Sequence, residues 1–137
     1  MKMDIRALNR ILFIGVAGTG MSALAQYLAG MGKQVAGSDR YFSSGEAGEV
    51  QTKLEAAGIR CFKQDGEGLT ADTNLVVVSA AVEDSVAEVQ KAKQTGIPVI
   101  RRSELLAHIA RSRKTIAIGG TSGKSTTSAM LFEILSY

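Results

Sequence analysis

Two glycine-rich loops constrain this chain more than any other feature. The first, Gly15-Val16-Ala17-Gly18-Thr19-Gly20-Met21, follows a short apolar run and precedes residues with helical spacing. The second, Gly119-Gly120-Thr121-Ser122-Gly123-Lys124-Ser125-Thr126-Thr127, stands in the same setting near the other end. Together they hold six of the 15 glycines in 137 residues. A glycine turn between a strand and a helix lets backbone N–H groups approach an anion at the helix N-terminus. A chain carrying two such turns is expected to bind phosphate.

The stretches between the loops alternate in period. Residues 10–14, 34–37, 59–62, 75–78, 97–100 and 115–118 are short and apolar, and read as six strands. Residues 21–31 place Met21, Leu24, Ala25, Leu28 and Met31 on one helical face, and Gly32 stops them. Residues 49–57 and 85–94 read as helices closed by Gly58 and Gly96. Ser103 is placed to cap a helix running to about Arg111, and a last helix starts near Lys124. Residues 41–48 read as a polar loop. Strand–helix alternation demands crossovers, so the fold class is α/β. It predicts a Rossmann-like doubly wound parallel sheet of about five strands with helices on both faces, plus a truncated strand–P-loop–helix.

Composition narrows the function. The chain is 45% hydrophobic and 21% charged, which suffices for a core. No stretch approaches the length of a membrane span. Cys61 and His108 are the only residues of their kinds, so neither a disulfide nor a Cys/His zinc site can form within the chain. Cys61 reads as packed core in a cytoplasmic protein, and His108, beside Leu105 and Ile109, as structural. The net charge of +3 is concentrated: residues 101–114 carry five basic residues against Glu104, and the remainder is net −1. With no Trp and no interleaved aromatic residues, this is no nucleic-acid stripe. The segment is either a solvated helix with a basic last turn or an anion-facing edge near a nucleotide site.

The loops differ from standard patterns in informative ways. A dinucleotide fingerprint needs glycine at position 17, where Ala17 stands, while Gly18 adds another. Asp39, 19 residues past Gly20, ends the second strand and can accept from a ribose hydroxyl or a base N–H. The second loop ends Gly-Lys-Ser like a P-loop, but Ile118 occupies the position of its first glycine. There Lys124 can reach β- and γ-phosphates, Ser125 can ligate magnesium, and the backbone of residues 120–124 can cradle oxyanions.

Several motifs in order resemble the Mur ligase family. They are Phe13-Ile14-Gly15-Val16-Ala17-Gly18-Thr19-Gly20-Met21-Ser22, Val35-Ala36-Gly37-Ser38-Asp39 and Val76-Val77-Val78-Ser79-Ala80-Ala81-Val82. Gly96-Ile97-Pro98-Val99, Arg101-Arg102-Ser103-Glu104-Leu105-Leu106 and the loop Gly120 to Thr127 continue the resemblance. It spans about residues 10–137. Ala17, Ala80, Leu12 and Ser122 depart from the residues usual in the family branch it most resembles.

The resemblance implies an ATP-dependent ligase of peptidoglycan synthesis forming carbon–nitrogen bonds. It would join L-alanine to UDP-N-acetylmuramate through an acyl phosphate, with ATP and Mg2+ as cofactors. By position, Val16, Ala17, Gly18, Thr19, Gly20 and Met21 should hold the UDP pyrophosphate, Ser38 and Asp39 should contact uridine, and Ser79 should line the crevice. Gly120, Thr121, Ser122, Gly123, Lys124, Ser125 and Thr126 should bind ATP, with Lys124 catalytic and Ser125 on the metal. The implied domains are 1–112 for the UDP-sugar and 113–137 for the truncated start of an ATPase. Such a piece is expected to bind the UDP moiety without ligating. The tail, with Met130, Leu131, Ile134 and Leu135, is expected to pack on this domain or on another copy. A peptide-recycling ligase on the same sugar nucleotide and an NAD-binding Rossmann module are the rival readings.

Overall fold

A computed structural model describes residues 3–137. A single 3-10 turn, Ile5–Ala7, leads into β1 (Arg10–Ile14), α1 (Thr19–Gly30) and β2 (Gln34–Ser38). Then come α2 (Tyr41–Ser44), α3 (Gly48–Ala56), β3 (Arg60–Phe62) and β4 (Leu75–Val78). The chain continues through α4 (Ala87–Gln94), β5 (Val99–Arg101), α5 (Arg102–Arg111) and α6 (Lys124–Leu135). The five strands form one sheet in the order β3-β2-β1-β4-β5, and every pairing is parallel.

Alternation along the strands divides the core into two layers. Ile11, Phe13, Val35, Leu75 and Val77 face α1, α3 and α5 through Met21, Ala25, Leu28, Leu54 and Leu105. Leu12, Ile14, Ala36, Val76 and Val78 face the other way, onto Leu69 and onto Val89 and Ala92 of α4. Both faces are therefore covered, as a parallel sheet requires. Three helices end alike. After α1, Lys33 N–H donates to Leu28 O at 3.1 Å and Gly32 N–H to Ala29 O at 2.9 Å, and the same pair of bonds recurs at Gly58 and Gly96. The left-handed glycine in each turns the chain back toward the next strand.

Four expectations need correction. Residues 115–118 form no strand: nothing in the sheet pairs with them, and Ile116 is 64% exposed. The apolar sequence satisfies local propensity, but a strand needs a neighbour for its backbone groups. Second, the tail does not pack on this domain. Helix α6 buries no residue, and Met130, Phe132, Ile134 and Leu135 are each more than 60% exposed. Third, α5 starts at Arg102 with Arg101 at its cap position, so Ser103 is not the cap. Fourth, residues 41–48 are not all loop, because Tyr41–Ser44 forms one helical turn.

Candidate functional site

The strand order reverses at β1. The chain leaves β1 toward β2 on one side, and β4 returns on the other, so a crevice opens at the carboxyl ends of β1 and β4. Its volume is about 980 Å³, and its walls include the first glycine loop, Asp39, Tyr41, Ser79 and Arg102. The loop reaches this place because Gly15 turns with φ +80° immediately after β1. Ser79 follows β4 and is fixed there by its N–H donating to Ile14 O at 3.2 Å.

Hydrogen bonding sorts the loop residues. The N–H groups of Gly15 and Val16 both donate to Ser38 O, at 2.8 and 3.2 Å. Ala17 N–H donates to Asp39 Oδ2 at 2.9 Å, and Gly18 N–H to Gly15 O at 3.4 Å. Helix α1 begins at Thr19, and among the described residues nothing accepts from the N–H groups of Thr19 and Gly20. These two open donors, at the positive end of the helix, form the anion-facing part of the loop.

The structure thus brings together Ala17, Gly18, Thr19, Gly20, Met21, Asp39 and Ser79 around one crevice. It does not bring Val16 or Ser38 there. Val16 is fully buried, its N–H is engaged, and its side chain packs on Gly37. Ser38 is fully buried too, because period-2 alternation sends its side chain to the α4 face of the sheet while Asp39 reaches the crevice. Asp39 also has a second duty. Its carboxylate accepts from Ala17 N–H and from Tyr41 N–H, at 2.9 and 3.0 Å, and so clamps the loop to β2.

Glu88, in the first turn of α4, went unremarked in the sequence. It is fully buried close to Ser38, yet neither carboxyl oxygen nor the Ser38 hydroxyl completes a hydrogen bond of ordinary geometry. Burial pushes the carboxyl above the usual carboxylate range, proximity to Ser38 and Gly66 offsets part of this, and the Asp65 charge adds to it. An acid raised in the folded state stabilises the fold fully below its unfolded pKa, and that contribution is lost as pH rises toward and through the folded value. Thermal melts of the parent and Glu88→Gln between about pH 4.5 and pH 8 are expected to diverge. The parent should lose Tm relative to the variant as pH rises; parallel profiles would refute the assignment.

Arg40, Tyr41, Gln64 and Arg102 are further crevice residues that the sequence did not single out. Arg40 lies over the Tyr41 ring, 4.8 Å from its centroid, and donates to the Tyr41 hydroxyl at 2.8 Å. Arg102 lies over Gly20: a methyl group on Gly20 would stand 2.8 Å from Arg102 Nη1. The sequence held Arg102 only as a member of the basic run 101–114 and of the motif Arg101 to Leu106, and the structure puts its side chain on the wall of the crevice. Cys61 is half-buried against the core; burial, then the charge of Glu55, push its thiol up to about 11, so it stays protonated and inert.

The second loop is open to solvent. Gly123 (φ +74°) precedes α6, and the N–H groups of Lys124, Ser125 and Thr126 meet no acceptor among the described residues. Lys124 Nζ folds back on Gly120 O at 2.7 Å. This curled backbone with open donors and a lysine fits the phosphates of a nucleotide. For a cation the loop offers hydroxyls such as that of Ser125, and the described residues contain no cluster of three His, Cys, Asp or Glu side chains.

Comparison with known proteins agrees with this arrangement. The chain is 43% identical over 136 residues to the UDP-N-acetylmuramate–L-alanine ligase of Carboxydothermus hydrogenoformans, covering 98% of this chain and 28% of the relative. It is 41% identical over 135 residues to that of Allorhizobium ampelinum, covering 98% of this chain and 27% of the relative. The chain therefore spans between a quarter and a third of the length of these curated relatives. The crystal structure of UDP-N-acetylmuramate-alanine ligase from Thermotoga maritima superimposes with a TM-score of 0.81 at 30% identity, over 93% of this chain and 29% of that one. A murein peptide ligase from Psychrobacter arcticus gives 0.80 at 30% identity, over 94% and 26%. The model of the Mur ligase family, catalytic domain, matches residues 10–114, from the first strand of the sheet to just past α5. A match over that span, which takes in the whole sheet and the crevice at its switch point, means that the chain belongs to the Mur ligase family.

Proposed function

We propose that residues 1–112 bind the UDP moiety of UDP-N-acetylmuramate, as part of an ATP-dependent ligase of peptidoglycan synthesis that joins L-alanine to that sugar nucleotide. The observation that carries this reading is the crevice at the β1/β4 switch point, with the two open N–H groups of α1 facing it. Diphosphate belongs at such a helix end, and Asp39, at the far side of the loop, keeps free lone pairs for a ribose or base donor. The names of the relatives supply the sugar nucleotide and the amino acid.

Residues 113–137 read as the start of a second unit that handles ATP. In support, α5 ends at Arg111, and no residue beyond Leu105 is buried. In the whole protein Gly120 to Thr126 would hold ATP phosphates, Lys124 would neutralise charge on them, and Ser125 would offer its hydroxyl to magnesium. When bound, ATP supplies the phosphoryl group that converts a carboxylate into an acyl phosphate open to an amine. These 137 residues alone bind nucleotide without ligating. The exposed apolar side chains of α6 would carry any self-association through residues 115–137. A cytoplasmic site suits ATP and a nucleotide sugar. The likeness to a murein peptide ligase keeps a second reading, ligation of a ready-made peptide to the same sugar nucleotide.

Calorimetric titration of the 137-residue chain tests the reading. UDP and UDP-N-acetylmuramate should bind, NAD should not, and no ATP-dependent ligation should occur. NAD binding without UDP binding would overturn it in favour of a nicotinamide module.

A further inference from the structure

The crevice presents few groups able to hold an anion. Of the loop's N–H groups, those of residues 15–18 are engaged within the fold, leaving Thr19 and Gly20. The walls also carry the carboxylates of Asp39, Glu46 and Glu83, whose charge opposes a diphosphate. Two cationic side chains line the space, Arg40 and Arg102. Arg40 is turned onto Tyr41 by a hydrogen bond and by stacking. Arg102 has no carboxylate partner among the described residues. Its guanidinium lies directly over Gly20, with Cζ 3.3 Å and Nη1 2.8 Å from where a Cβ would be.

We propose that Arg102 is the cation that contacts the phosphate groups of the nucleotide, acting with the open N–H groups of Thr19 and Gly20. This rests on the reading of the crevice as a uridine-nucleotide site. Its position follows from the sheet: β5 pairs with β4 through Val78 and Arg101, which starts α5 beside the loop that follows β1. A guanidinium fork matches phosphate oxygens bidentately, so Lys is an incomplete substitute. Glycine at position 20 then has a further reason: any side chain there displaces the arginine.

The test is titration of the 137-residue chain with UDP and, by ligand-observed NMR, with uridine. Arg102→Ala should weaken UDP binding about 10- to 100-fold and leave uridine binding unchanged. Arg102→Lys should recover part of the loss, and raising the salt should weaken the parent more than Arg102→Ala. Gly20→Ala should also weaken UDP binding, and adding it to Arg102→Ala should cost less than it does alone. UDP binding retained in Arg102→Ala overturns the assignment and leaves the nucleotide reading standing. Equal losses for UDP and uridine also overturn it, because Arg102 would then shape the crevice rather than meet phosphate. Absence of UDP binding in the parent overturns the nucleotide reading, and this assignment with it.

Discussion

Gly37→Ala should lower Tm by roughly 10 °C, for about 3 kcal/mol lost at some 4 °C per kcal/mol. Gly37 lies in β2, opposite Phe13 of β1 and Cys61 of β3. A methyl group there would stand 2.6 Å from Cγ1, 2.8 Å from Cβ and 2.9 Å from Cγ2 of Val16, which is fully buried. All three contacts lie below van der Waals separation, and none is to the end of a flexible side chain. The strand or the glycine loop must move, and the loop is held by Ser38 O of the same strand. Val16→Ala removes two of the three contacts, so the double variant should recover part of the loss in a mutant cycle. Gly30→Ala is the control of opposite sign. Gly30 is exposed at the end of α1 with nothing within 4 Å of a Cβ, and alanine there should be neutral or stabilise by up to about 1 kcal/mol. Equal melting of Gly37→Ala and the parent would show that Val16 can give way without cost.

Gly15→Ala should destabilise by about 2–5 kcal/mol, combining a left-handed backbone at about 1–2 with crowding at about 1–3, and should also abolish UDP binding. The backbone has φ +80°, and a Cβ would meet Ser79 Oγ at 2.7 Å and Val82 Cγ2 at 3.1 Å. Gly58 separates the two effects, since it shares the conformation (φ +81°) with nothing within 4 Å. Gly58→Ala should therefore show the backbone effect alone. The excess of Gly15→Ala over Gly58→Ala measures the approach of the β1 loop to the residue after β4, and Ser79→Ala should relieve part of it. If the two glycine variants melt together, the crowding is absent and the crevice is looser than described.

The glycines carry the same lesson about legibility. Turn glycines such as Gly32, Gly58 and Gly96 could be read directly, because each stops an apolar helical pattern. Gly37 could not, because its requirement comes from Val16, which is distant along the strand path and close only across the sheet. Strand β4 matched its apolar run residue for residue, since four buried β-branched or aliphatic side chains leave no other choice. Residues 115–118 have a similar character and form no strand, because no neighbour offers them a ladder. Asp39 and Ser38 were paired as ligand contacts, and alternation separates them onto opposite sides of the sheet.

By itself the sequence determined the five strands of the sheet, every α-helix except α2, the parallel α/β class, the position of both glycine-rich loops and the family. These rest on local periodicity and on contiguous motifs, which the chain carries wherever it is placed. Only the tertiary structure decided which donors stay open in the first loop, that Glu88 lies unsatisfied beneath Ser38, and that Arg102 stands over Gly20. Each of those depends on which strands neighbour one another, and strand order follows from packing two hydrophobic faces at once rather than from any one segment.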